Sequence, residues 1–306
     1  MIDRLIERIE ELHNPTALGL DTCLDYLPDR GESVTSPAEA GRAIFEFNRQ
    51  LIDAAAGLIP AVKVQIAYYE MYGVEGVRAF ADTVRYAKEK GLIVIADAKR
   101  NDIGATAACY SRAFLGQTPL GAEEMRAFEP DFLTVTPYLG SDGIEPFVRD
   151  CAAHDKGIFV LVKTSNPSSG ELQDMRFADG RTLYEAVGDR VAQWGAEQIG
   201  RYGYSNIGAV VGATYPEQGT ALRERLKSVF FLLPGYGAQG ASGADLAGCF
   251  DEHGRGGVVN ASRSLLCAYR KEKYAGMSPA EAMVRAAEEM REDINAALKK
   301  AGKGGF

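Results

Sequence analysis

The chain is poor in the residues that most often carry metal or redox chemistry. Its 306 residues include only three histidines, His13, His154 and His253, far apart in sequence. Isolated in this way, they read as surface or loop positions rather than as a catalytic or metal-binding set. The five cysteines, Cys23, Cys109, Cys151, Cys249 and Cys267, are odd in number, scattered, and form no Cys-x-x-Cys pair. This argues against a disulfide framework or a structural zinc site and leaves buried reduced thiols as the expectation. No run approaches the roughly 20 apolar residues a membrane span requires, so no membrane partner is expected. A basic surface is missing too: the net charge of −8 argues against a nucleic-acid binder. A few local donors can still hold a small anion against that diffuse field. In the first residues, 1–13, Ile2, Leu5, Ile6, Ile9 and Leu12 share one helical stripe with acids and bases between them. That pattern is unlike a signal peptide, and a reduced cytoplasmic protein is expected.

What the chain does have is alternation. Short apolar runs at 17–21, 61–66, 92–98, 132–136, 157–162, 207–211, 229–233 and 257–260 read as strands. Between them lie helical stretches such as 38–56, 69–90, 143–153, 182–202 and 216–227, with a last helix at 279–299 opened by Ser278 and Pro279. Strands separated by helix-length connections pair in parallel. Eight of them in one chain without a linker or a shift in composition predict an α/β fold, a single-domain (β/α)8 barrel over residues 1–306. The rival, a doubly wound open sheet, would usually carry a Gly-x-Gly-x-x-Gly turn after an early strand, and none follows residues 17–21. Two glycine-rich stretches, 165–180 and 234–257, are long enough to be functional loops.

The segment Ile93-Val94-Ile95-Ala96-Asp97-Ala98-Lys99-Arg100-Asn101-Asp102 is the most informative. Alternate strand residues share a face, so Ile93, Ile95, Asp97 and Lys99 point one way. Apolar residues followed by charges suit a barrel strand whose lower part fills the core and whose tip supplies catalytic groups. The strand before it repeats the device, with Lys63 on the face of Ala61 and Gln65, and Asp21 ends the first strand. At the other end of the chain, Pro234-Gly235-Tyr236-Gly237-Ala238-Gln239-Gly240 and Asn260-Ala261-Ser262-Arg263-Ser264 follow the last two strands. Barrel enzymes frequently bind phosphate with those two loops, and Arg263 adds a fixed charge in a forked geometry.

Asp97-x-Lys99-x-x-Asp102, with Lys63 on the preceding strand, resembles the charged tetrad of the orotidine 5′-phosphate decarboxylases. The run from Asp97 to Thr106 is similar to the longer bacterial branch of that family. Asn101 stands where the family pattern has glycine, and asparagine tolerates unusual backbone angles. The resemblance implies a cofactor-free, metal-free decarboxylation of orotidine monophosphate (OMP) to uridine monophosphate (UMP). It assigns Asp21 and Lys63 to the ribose hydroxyls, with Lys63 also in the charge array. Asp97 would lie beside the substrate carboxylate, and Lys99 would deliver the proton. Ser165 would contact the pyrimidine, Gln239 and Arg263 would grip the phosphate, and the loop over residues 234–257 would close on it. Asp102 and Thr106 would reach into the neighbouring subunit's site, making a homodimer.

Three rivals share these residues. A sugar-phosphate aldolase or epimerase of the same barrel superfamily, such as a hexulose-phosphate synthase, resembles the Asp-x-Lys-x-x-Asp motif too but would use a divalent metal to stabilise an enediolate. A Schiff-base enzyme would need Lys99 with a depressed pKa, which two close carboxylates oppose. A nucleotide-binding module without turnover would not need the full charge set.

Overall fold

The computed structural model describes residues 1–237 and 240–304. Eight parallel strands close a barrel: β1 (Thr16–Leu20), β2 (Ala61–Gln65), β3 (Ile93–Arg100), β4 (Phe132–Val135), β5 (Gly157–Lys163), β6 (Ile207–Val211), β7 (Phe231–Pro234) and β8 (Gly257–Ala261). Each strand pairs with the next in sequence and β8 returns to β1, so the (β/α)8 expectation is met with all eight strands in the predicted places.

Alternation along the strands produces two cores. Val62, Val64, Val94, Ala96, Leu133 and Val135 face the surrounding helices, while Ala61, Ile93, Ile95, Phe132, Phe159 and Val258 fill the barrel. The centre is tight enough to demand glycine. The rings of Phe132 and Phe159 stack with centroids 5.0 Å apart. A Cβ on Gly208 would lie 2.7 Å from the Phe159 ring. The amphipathic stripe at the N-terminus forms the helix Ile2–Leu12, and Ile2, Leu5, Ile6 and Ile9 pack into the barrel-interior core. Asn206, just before β6, accepts from the Ile2 N–H at 2.8 Å. This helix therefore plugs the N-terminal end of the barrel and leaves the C-terminal strand ends as the open mouth.

Several boundaries differ from the sequence reading. The helix expected over 69–90 is two, Ala67–Glu70 and Gly73–Glu89, because Gly73 takes a φ of 66° at the junction. The helix expected over 182–202 stops at Trp194, and the chain continues through a 3₁₀ turn, Ala196–Gln198. An exposed hairpin, Thr118–Leu120 with Glu123–Met125, was not anticipated; its three-residue strands carry a proline and no alternation. Cys151 and Cys249 are buried as expected, whereas Cys109 is exposed and Cys23 and Cys267 are half-buried. Among the described residues, no helix is long and apolar enough to cross a membrane.

Candidate active site

Register sets the site. Across β1, β2 and β3, Gly19 stands beside Lys63, and Gln65 beside Asp97. Because Lys63 and Asp97 continue the inward faces of Ala61 and Ile95, their side chains meet above the apolar plug. Lys63 Nζ donates to Asp21 Oδ1 at 2.9 Å and to Asp97 Oδ2 at 3.0 Å. Asp97 is the hub. Its Oδ2 also accepts from Gln65 Nε2 at 2.8 Å, and its Oδ1 from Lys99 Nζ at 2.6 Å and Thr134 Oγ1 at 2.9 Å.

Burial and charge oppose each other here, and charge prevails. Burial pushes the Asp97 carboxyl up, but the ammonium groups of Lys63 and Lys99 outweigh it and hold the carboxyl below the ordinary range. Burial likewise pushes the Lys63 ammonium down, yet Asp21 and Asp97 more than reverse this, raising it above the ordinary lysine value. Both groups are therefore charged at neutral pH. Lys99 differs in exposure: its side chain is 46% exposed against 5% for Lys63, so its ammonium reaches the open mouth.

Beside this cluster lies a cavity of about 340 Å³ lined by Asp21, just after β1, by Lys63 and Asp97 of β2 and β3, and by Gly235, Tyr236 and Arg263 from the segments after β7 and β8. Gly235 has a φ of 115°, which only glycine adopts readily, and this turn lets the backbone border the cavity. Asn260, 4% exposed, also lines it, and its Oδ1 has no hydrogen-bond partner among the described residues. A larger cleft of about 1250 Å³ is lined by Phe177, Leu183 and Trp194 and, among the described residues, by none of the predicted site residues.

The structure thus brings Asp21, Lys63, Asp97 and Arg263 to one cavity, and Lys99 joins them through Asp97 without itself lining the cavity. Ser165 stands at the end of β5, its carbonyl accepting from Thr214 Oγ1 at 3.2 Å, outside the cavity lining. Asp102 accepts from the Ile103 N–H at 2.7 Å and, among the described residues, enters no ion pair. Thr106 is exposed on the helix Gly104–Phe114. Gln239 lies outside the described residues. Thr134, Gln65 and Asn260 were missed as site residues. Their signal was present: each is a polar side chain on the inward face of a barrel strand. Asn101 is not among the residues with positive φ, so glycine is not required there; the left-handed residue is Lys99.

The model of the orotidine 5′-phosphate decarboxylase / HUMPS family matches residues 42–277. The orotidine 5′-phosphate decarboxylase of Caldicellulosiruptor bescii is 41% identical over 302 residues, 97% of this chain and 98% of the relative. The chain belongs to this family. The Clostridium acetobutylicum decarboxylase is 41% identical over 299 residues, covering 97% of this chain and 100% of its own. Among solved structures, the Leishmania donovani OMP decarboxylase superposes with a TM-score of 0.73 at 32% identity, covering 97% of this chain and 98% of that one. These full-length relatives carry the decarboxylase name rather than the HUMPS one, which groups the chain with the family's carboxy-lyases.

Proposed function

We propose that the protein converts OMP to UMP, with Lys99 as the proton donor and without a cofactor. One observation carries this: Asp97 is held between the ammonium groups of Lys63 and Lys99 and lines a cavity that the glycine turn at Gly235 and Arg263 also line. A nucleotide fits such a charge layout, with its phosphate at Arg263 and its reacting ring near Lys99.

Breaking the bond from C6 to the carboxylate releases CO2 and leaves an electron pair in an in-plane orbital on C6, which the ring does not delocalise. An ammonium already in place stabilises that charge as it develops, which is where electrostatic catalysis is most effective. Lys99 then transfers a proton from Nζ to C6, giving UMP, and the neutral amine regains a proton from solvent through the open mouth. Asp97 keeps the Lys99 ammonium oriented, while Lys63 helps keep Asp97 ionised. Asp21 and Lys63 would hold the ribose hydroxyls and Ser165 the pyrimidine. Arg263 and Gln239 would grip the phosphate, whose binding energy can organise the distant charges.

The same reading supplies Asp102 and Thr106 to a partner's site in a homodimer. Both lie outside the cavity of their own chain, and Ile103, Tyr138 and Leu139 beside them are 55%, 83% and 47% exposed, an apolar surface of the kind subunits cover. Five unpaired cysteines suit a reducing compartment, which we take to be the cytoplasm.

The metal-dependent sugar-phosphate reading fits less well. Asp97 already accepts from Lys63, Gln65, Lys99 and Thr134, leaving little of its carboxylate to offer a divalent cation. The deciding experiment follows OMP absorbance with purified protein in EDTA: turnover should be unaffected, and K99A should abolish it while UMP still binds. Chelator-sensitive activity, or near-normal turnover by K99A, would refute the proposal.

A further inference from the structure

Lys99 has a φ of 47°, in the left-handed region that a residue with a Cβ rarely adopts. Such outliers persist only where the surroundings enforce them. The enforcement comes from β4. Pairing between β3 and β4 runs Ile95 with Phe132 and Ala96 with Leu133, then resumes at Arg100 with Val135. Residues 97–99 are therefore bulged against one residue, Thr134. Bulges of this kind re-aim a side chain.

Thr134 is 1% exposed, and its hydroxyl is fully used. It accepts from the Ala98 N–H at 3.0 Å and the Lys99 N–H at 2.9 Å, and it donates to Asp97 Oδ1 at 2.9 Å. Lys99 Nζ bonds the same carboxylate oxygen. One hydroxyl thus holds both the backbone of the lysine and the carboxylate that orients its ammonium.

We propose that Thr134 is a positioning residue for the proton transfer, acting through Lys99 and Asp97 as a peg inside the bulge. This rests on Lys99 being the donor. Without the hydroxyl, the buried Ala98 N–H and the part-buried Lys99 N–H lose their acceptor, the left-handed turn loses its restraint, and Asp97 loses one of its four donors among the described residues. Among the described residues, Thr134 makes no hydrogen bond to Asp21, Lys63 or Arg263, the groups assigned to the ribose and phosphate.

The test is kcat for OMP and Kd for UMP in T134V, T134S and K99A. Losing a hydrogen bond to a charged group corresponds to about a 10- to 100-fold fall in kcat. T134V should show that fall with UMP affinity within about threefold of wild type, and T134S, which keeps an oxygen in place, should recover most of it. The acid limb of the T134V kcat profile should move to higher pH, because Asp97 with one donor fewer protonates more easily. If T134V does not fold, T134A carries the same test. Wild-type kcat in T134V while K99A is inactive would remove the peg alone. A kcat loss matched by an equal loss of UMP affinity, or no recovery in T134S, would show a merely structural role. Normal turnover in K99A would instead remove the proton-donor reading beneath it.

Discussion

Replacing Lys63 by methionine keeps most of the side-chain stem and removes one charge from the centre of the cluster. In the wild type that charge bridges Asp21 and Asp97, whose side chains are 20% and 10% exposed. Breaking such a buried pair from one side costs about 3–5 kcal/mol, because the abandoned carboxylate stays desolvated. The pH dependence identifies the cause. In the wild type the Asp97 carboxyl is depressed, so its contribution is complete above the unfolded value of about 4 and is lost only as pH falls through the folded value. Lys63 is raised, so its contribution is complete below about 10.4 and is lost only as pH rises through its folded value. Neither changes between pH 5 and 8. In K63M, burial pushes the Asp97 carboxyl up, and half-exposed Lys99 is the one ammonium left to oppose it beside the neutral donors Gln65 and Thr134. The folded state then binds its proton more tightly than the unfolded chain does, and stability falls with rising pH by up to about 1.4 kcal/mol per unit between the two pKa values. K63M should therefore be destabilised most at pH 8 and least at pH 5. Urea unfolding at both pH values, followed by the fluorescence of the single tryptophan, Trp194, measures this. A deficit identical at the two pH values, or below about 1 kcal/mol at pH 8, would show that Lys63 is not the counter-charge of a buried carboxylate.

Two other experiments probe the remaining parts of the site. R263A should raise KM for OMP by about 10- to 100-fold, the equivalent of one charged hydrogen bond, with kcat changed less; a loss confined to kcat would remove Arg263 from the phosphate end. Mixing equal amounts of inactive K99A and D102N, unfolded together and refolded, should restore about a quarter of wild-type activity. Half the dimers would be mixed, and each would hold one site with neither substitution. No recovery in verified heterodimers would place Asp102 outside its partner's site.

The alternation of Ile93, Ile95 and Asp97, and of Ala61 and Lys63, is a period-two pattern written into adjacent residues. It established which face of each strand is inward and that charge succeeds apolar core toward the strand tips. The same local logic gave eight strands, a parallel sheet and the stripe of the first helix. The sequence did not show that this helix would plug the barrel, that Gly73 would break a long helix, or that a hairpin of three-residue strands would form. Nor could it show that Lys99 would leave the strand pattern. Alternation alone aims Lys99 along the face of Asp97, but a bulge against Thr134 turns it into the left-handed region and toward the open mouth. Register, bulges and the convergence of four donors on one carboxylate depend on strands some 35 residues apart meeting at particular heights. Side-chain periodicity is local and legible in the chain; the pairing that stacks one strand's polar residue against another's exists only once the barrel has closed.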